Sequence, residues 1–414
     1  MITKTLFTTS LQCLKLAHRV INNPESLTKS SLGVEFRKKQ GMNVGELAKK
    51  LYPDGIDLAN QPDDEKLKLT KQYHSKILFE ASANFEDLFA RADVLVPIED
   101  GSYDIIEVKS VSKIKKEHIA DVSFQHYVFT KAGHNIKNCY LAHANSDYLR
   151  QGELDVKEFF AIDLVEPINV EEQIESLRNT LNKTEPTIEI RRQCSNPYDC
   201  PLKKECWKDL PKNNVTQLYY DKKTGFELLK QGITLIKDIE SLEPKGRGRR
   251  ERGIQLQATK ENKVHIQEKE IKDWVNSLNY PIFYFDFETY APAIPLFDKA
   301  RPWQRMPFQY SVHIEQKDGT IEHKEFLATD NKDPRPALIK AMIEHLETQG
   351  SIVVYNQTFE ESVIKELMRD FPEFEDAGNN FLARIVDLAH PFQYFWYYNP
   401  EQQGRHSKDS AKTL

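Results

Sequence analysis

The sequence predicts an α/β protein folded as two domains. Three observations carry this expectation. Its 414 residues exceed the ~250–300 that a single hydrophobic core usually organises. Short β-prone runs recur among segments of helical periodicity, the mixture that gives α/β or α+β architecture. One stretch, EPKGRGRRERG (243–253), is rich in Gly and Arg and almost free of apolar residues, so it reads as a mobile connection or exposed loop.

In chain order, helical periodicity fits 43–51, and β-prone runs fit 92–98 and 103–108. GFELLKQGITLIKDI (225–239) reads as a small helical hairpin broken at Gly232. Further strands are expected over 282–287, 309–316, 322–327 and 352–355, with helices over 335–348 and 359–369. These elements divide the chain into a first domain, 1–210, a helical link with a basic loop, 211–274, and a second domain, 275–414.

Composition narrows the function classes. Hydrophobic residues make up 39% and charged residues 29%, the mix of a soluble globular protein. A net charge of −6 argues against bulk electrostatic binding of nucleic acid, but not against an enzyme with a local basic groove. No run approaches the ~18 apolar residues of a membrane span. The opening MITKTLFTTSLQCLKLAHRV has no unbroken apolar core and no small-residue cleavage site, so a cytoplasmic location without membrane association is expected. Neither a P-loop nor a GxSxG motif occurs.

RADVLVPIEDGSYDIIEVKS reads as a hairpin turning at Glu99-Asp100-Gly101. A turn centred on Asp100 places residues whose numbers sum to 200 opposite one another, so Asp93 faces Glu107. Alternation puts Lys109 on the face of Glu107. Opposed carboxylates repel unless a cation lies between them, and hard oxygen ligands suit Mg²⁺ or Mn²⁺. A surface hairpin with weak ion pairs is the plainer alternative.

This D…ExK pattern resembles the PD-(D/E)xK nuclease core, especially its RecB-like branch, and implies a restriction-endonuclease-like fold. The resemblance implies catalytic roles for Asp93, Glu107 and Lys109. It adds a helical glutamine, matched by Gln125 in DVSFQHYVF, with Phe129 where the branch usually has Tyr. An upstream helical ligand is matched by Glu46 after Gly45, with Glu80 a rival for a neighbouring acidic role.

Three of the five cysteines lie in CSNPYDCPLKKEC, at 194, 200 and 206. Thiols stay reduced in the cytoplasm, so clustered cysteines suggest a metal site. Members of the RecB-like family similar to CRISPR-associated exonucleases carry a [4Fe–4S] cluster on one cysteine before the core and three after it. The resemblance implies that Cys13, Cys194, Cys200 and Cys206 hold such a cluster. Zinc is the alternative, although its usual pairs have two to four residues between ligands. Cys139, in NCYLAHA, reads as a packed core thiol.

PIFYFDFETY (281–290) reads as a buried strand carrying Asp286 and Glu288. Two like charges on such a strand would call for a cation. The motif resembles the first motif of DEDD-type exonucleases of ribonuclease-H-like fold. SIVVYNQTFEES supplies Asn356, Phe359 and Glu360 for the second, with Glu in place of Asp. For the fourth carboxylate, Asp387 lies early and Asp409 lies in a polar tail.

The whole chain resembles an uncharacterised bacterial family that fuses a RecB-like domain to this DFET domain. In that family the region like NPEQQGRHS continues further, so a truncated, partial ribonuclease-H-like domain is expected. PFQYFWYYNP (391–400) is either core or a base-stacking surface. The expected function is metal-dependent hydrolysis of nucleic acid, DNA foremost. The alternative is a catalytically decayed nucleic-acid-binding or scaffold protein with a four-cysteine metal site. No protein partner is indicated.

Overall fold

A computed structural model describes residues 1–27 and 32–401 and shows mixed α/β architecture in two compact units. The first comprises 1–206 with 291–304, and the second comprises 207–290 with residues from 305 onward. The division after residue 206 lies close to the expected break at 210, whereas residues 207–274, expected as a link, fall in the second unit and 291–304 fall in the first. Asp409 and the closing SKDSAKTL lie outside the described residues. Among the described residues no helix is long and apolar enough to cross a membrane.

In the first unit, β1 (Ile2–Thr3), β2 (Ile56–Asp57), β3 (Leu78–Phe85), β4 (Leu88–Pro97), β5 (Tyr103–Lys109), β6 (Ile136–Ala144) and β7 (Phe160–Val165) form one sheet. Its order is β2-β3-β4-β5-β6-β7, with β1 paired to β4 off this path. Strands β3, β4 and β5 are antiparallel hairpin neighbours. The β4–β5 turn uses Gly101 at φ 82°, a conformation that favours glycine, while Asp100 accepts a bond from the Ser102 amide at 3.0 Å. Helix Lys116–Lys131 then crosses back, so β6 pairs parallel to β5.

The β4–β5 ladder runs from Pro97↔Tyr103 to Val94↔Ile106. Further along β4, Leu88 and Phe89 instead pair with Ile2 and Thr3 of β1. The two central strands therefore part beyond Val94, and the amino terminus takes the freed edge. Thr3 caps helix Lys4–Gln12 by accepting from the Leu6 amide at 3.3 Å. That helix buries Leu6 and Phe7, and Phe7 stacks on Phe124 of helix Lys116–Lys131 at 4.8 Å between ring centroids.

The second unit contains β8 (His265–Ile266), β9 (Ile282–Tyr290), β10 (Met306–Glu315), β11 (Ile321–Leu327), β12 (Ser351–Val354), β13 (Ile385–Asp387) and β14 (Tyr397–Tyr398). Its main sheet has the order β11-β10-β9-β12-β13, while β8 and β14 form a separate two-stranded ribbon. Strand β10 is antiparallel to β9 and β11, whereas β12 is parallel to β9 and β13. Phe283, Phe285 and Phe287 of β9 enter a core built with helices Arg335–Leu346, Gln357–Asp370 and Glu375–Arg384.

The stretch 243–253 is not simply a loop. Helix Arg249–Glu261 begins within it, and Arg252 is 1% exposed. Its guanidinium donates to Tyr219 O at 2.8 Å and pairs with Asp221 at 3.4 Å, which explains a buried arginine in so polar a run. The 225–239 hairpin is present as helix Lys222–Lys230, a turn at Gly232 (φ 86°) and a 3₁₀ turn at Ile236–Asp238. In 391–400, Phe392 and Phe395 are buried, and Phe395 stacks on Tyr398 at 4.6 Å, so the run mainly serves packing.

Phe124 has no exposed surface and packs the amino-terminal helix onto the sheet. Phe124→Ala is expected to cost ~3–5 kcal/mol in chemical denaturation. A loss below ~1 kcal/mol would contradict this placement of the helix.

Candidate functional site

The parting of β4 and β5 creates the site. The ladder's sum of 200 extends to Asp93 and Glu107, the first positions beyond the last paired residues. Asp93 uses Oδ2 to accept the Val108 amide of β5 at 2.7 Å, bridging the strands where backbone pairing stops. Glu107 is 1% exposed. Its Oε1 accepts from Lys109 Nζ at 2.6 Å and Lys4 Nζ at 2.7 Å, and its Oε2 accepts from Gln125 Nε2 at 2.6 Å. Lys109 also pairs with Asp121, and Lys4 lies 3.8 Å from the same carboxylate.

The structure thus brings Asp93, Glu107, Lys109 and Gln125 together, along with two residues that motif reading misses. Asp121 lies one helical turn before Gln125, so its i, i+4 relation was available as a signal. Lys4 is 103 residues from its partner Glu107, and nothing local marks it.

Three carboxylates share this region with two ammonium groups. Burial raises the Glu107 pKa, but Lys109 and Lys4 overcome that effect and hold it below the usual carboxylate range. Asp93 moves the other way: burial and the Glu107 charge push it up to about 7. Asp121 is also raised, by burial and then by Glu107. Burial would lower the pKa values of Lys4 and Lys109, yet the surrounding carboxylates, Glu107 foremost, raise both. Asp121 Oδ1 and Gln125 Oε1 are buried without a hydrogen-bond donor. Acceptor oxygens in excess, from hard ligands, fit a divalent cation.

Two other acids fall differently. Glu46 is not brought to this group. Val44, Leu47 and Ala48 take the buried face of helix Leu32–Lys49, which turns Glu46 outward to pair with Lys49 at 2.6 Å. Position 80 lies opposite Asp93 in the flanking β3–β4 register, and Glu80 has a φ of 57° in the left-handed region.

Three of the four expected cysteine ligands pack in one apolar cluster, and the Cys200 amide donates to Cys194 O at 2.9 Å. Cys13, Cys200 and Cys206 share a small apolar cluster with Leu16 and Leu202. Cys200 feels the charges of Cys13, Cys194 and Cys206, while burial is the main cause pushing its thiol up to about 11. Gln12 Nε2 donates to Gln193 O at 2.9 Å and Tyr198 O at 2.7 Å. Arg19 pairs with Glu185 at 2.5 Å and Glu205 at 2.9 Å. These contacts tie the segment around Cys13 to the 185–206 stretch. Among the described residues, no three His, Cys, Asp or Glu side chains are grouped as metal ligands. Cys139 is a core thiol, 1% exposed and raised to about 12 by burial.

In the second unit, Asp286 and Glu288 are exposed. Strand β9 alternates, with Phe283, Phe285 and Phe287 buried and Tyr284, Asp286 and Glu288 outward, so the expectation of a strand buried on both faces is corrected. Two carboxylates in solvent do not by themselves call for a cation. Glu360 is 1% exposed on helix Gln357–Asp370. Asp387 accepts the amides of Asn356 at 2.9 Å, Gln357 at 3.1 Å and Ala389 at 2.8 Å, which is a capping role.

Residues 283–407 match a family described as Domain of unknown function (DUF2779). An uncharacterized protein, UU173, of Ureaplasma parvum serovar 3 is 29% identical over 138 residues, 31% of this chain. The match spans 20% of that relative's own length. A solved structure described as the crystal structure of SSO0001 aligns over 51% of this chain and 87% of its own. Its identity is 14% and its TM-score 0.24.

The pKa of Asp93 gives a stability prediction. Its native value exceeds the ~3.9 of an unfolded aspartate, so the native state holds the proton more tightly and stability falls as pH rises toward and through about 7. In chelating buffer, wild-type melting temperature should decline between about pH 5 and 8, and Asp93→Asn should remove part of that decline. An unchanged profile in the variant would assign the decline to other groups.

Proposed function

We propose that the first unit is a metal-dependent nuclease of the RecB-like PD-(D/E)xK type, acting on DNA. The observation that carries this reading is the convergence of Asp93, Glu107, Lys109 and Gln125 where β4 and β5 part, with acceptor oxygens in excess. The antiparallel β3–β4–β5 ribbon, followed by a helix and a parallel strand, supports it.

Asp93 and Glu107 would hold Mg²⁺ or Mn²⁺. Bound there, the ion supplies an activated water and stabilises the charge on the pentavalent phosphate. Gln125 fixes the Glu107 carboxylate through Oε2, and Asp121 restrains the Lys109 ammonium. Lys109 then orients the nucleophile or neutralises developing charge. Cys13, Cys194, Cys200 and Cys206 would hold a structural [4Fe–4S] cluster, with zinc as the second option. Thiolates bound to one centre would tie together segments nearly 200 residues apart, reinforcing the contacts made by Gln12 and Arg19.

For the second unit, the mixed sheet with the DFET strand at its centre supports a ribonuclease-H-like reading. Asp286 and Glu288 point outward and Glu360 is buried, so a second hydrolytic centre there has less support than the first-unit site.

Mn²⁺-dependent cleavage of end-labelled single-stranded DNA is expected to fall by on the order of 100-fold or more in Glu107→Ala and to persist in Asp286→Ala. The reverse pattern would move the chemistry to the second unit. Protein purified without oxygen should be brown with broad visible absorption. A colourless protein containing zinc would contradict the iron–sulfur assignment.

A further inference from the structure

Glu107 already has cationic partners of its own. One is Lys109, two residues along the same strand. The other is Lys4, which starts the amino-terminal helix and reaches Glu107 Oε1 at 2.7 Å. Its position is built rather than incidental: β1 fills the freed edge of β4, Thr3 caps the helix, and Phe7 stacks on Phe124. The ammonium also lies 3.8 Å from Asp121, so it stands among the acids.

We propose that Lys4 is a resident counter-ion of the carboxylate site, occupying the side of Glu107 to which a divalent cation must gain access. The inference rests on the nuclease reading above and adds a role for a residue outside its motif. Two ammonium groups share Glu107 Oε1, while Oε2 keeps one lone pair beyond the Gln125 bond, so a cation reaches Oε1 only where an ammonium withdraws. Lys109 is additionally held by Asp121 in a close pair, whereas Lys4 lies farther from that carboxylate. Lys4 is thus the partner that gives way. Cation entry exchanges one positive charge for two, raising the positive charge beside the three acids from two to three.

The test is Mn²⁺ binding to the full-length protein by isothermal titration calorimetry at fixed pH. Lys4→Met is expected to bind Mn²⁺ about ten-fold more tightly than wild type, because a nearby like charge is removed. Lys4→Gln keeps a hydrogen-bond donor and is expected to show the same gain, while Lys4→Arg keeps wild-type affinity. A lysine that only packs the fold would loosen the site when removed and weaken binding, so the sign separates the roles. Unchanged or weaker binding in both neutral variants overturns the proposal. Glu107→Gln distinguishes the two levels. If it abolishes Mn²⁺ binding while the neutral Lys4 variants show no gain, the Lys4 role alone falls. If Mn²⁺ binding survives Glu107→Gln, the nuclease site and the counter-ion role fall together.

Discussion

A single buried carboxylate organises the first unit. Glu107 is almost wholly removed from water, a placement that costs several kcal/mol for an ionised group unless it is paired. Lys4, Lys109 and Gln125 provide that pairing from three different elements: the amino-terminal helix, the same strand, and the helix that crosses to β6. Removing Glu107 would leave two lysines and an amide without their common partner. The carboxylate therefore joins remote parts of the chain as well as marking the proposed chemistry.

The parting of β4 and β5 makes this arrangement available. A continuous ladder would commit both strands to each other and leave no place for Asp93 to meet the Val108 amide with its side chain. The amino terminus fills the opened edge, and one nine-residue helix carries Lys4 at its start and Cys13 as its C-cap. Such a helix is about 14 Å long. The contacts that fix the cysteine-bearing end thus also restrict where Lys4 can go. The proposed metal centre and the proposed active site share a rigid element.

Features set by short-range rules were legible from residues alone. The β4–β5 register followed from a tight turn with Gly101, and side-chain alternation then put Glu107 and Lys109 on one face. Gln125 came instead from the family resemblance, which places a glutamine on the helix after that strand. Glu46, taken from the same resemblance, does not join the site, because the helix around it is longer than its periodic stretch suggested and its inward face is set by Val44, Leu47 and Ala48. Tyr284 sits within an apolar run yet shares the outward face with Asp286 and Glu288, so composition alone hides the alternation of that strand. Lys4 depends on β1 pairing with β4, a contact between distant segments that no local pattern encodes. The basic run at 243–253 concealed a buried arginine for the same reason: its partners Tyr219 and Asp221 lie well upstream.

The central claim is that Asp93 and Glu107 jointly bind one divalent ion. Anomalous diffraction from crystals soaked in Mn²⁺ tests this most directly. The account predicts a manganese peak bridging the Asp93 and Glu107 carboxylates. Manganese found only beside Asp286 and Glu288, or no ion between the two first-unit acids at saturating Mn²⁺, would contradict it.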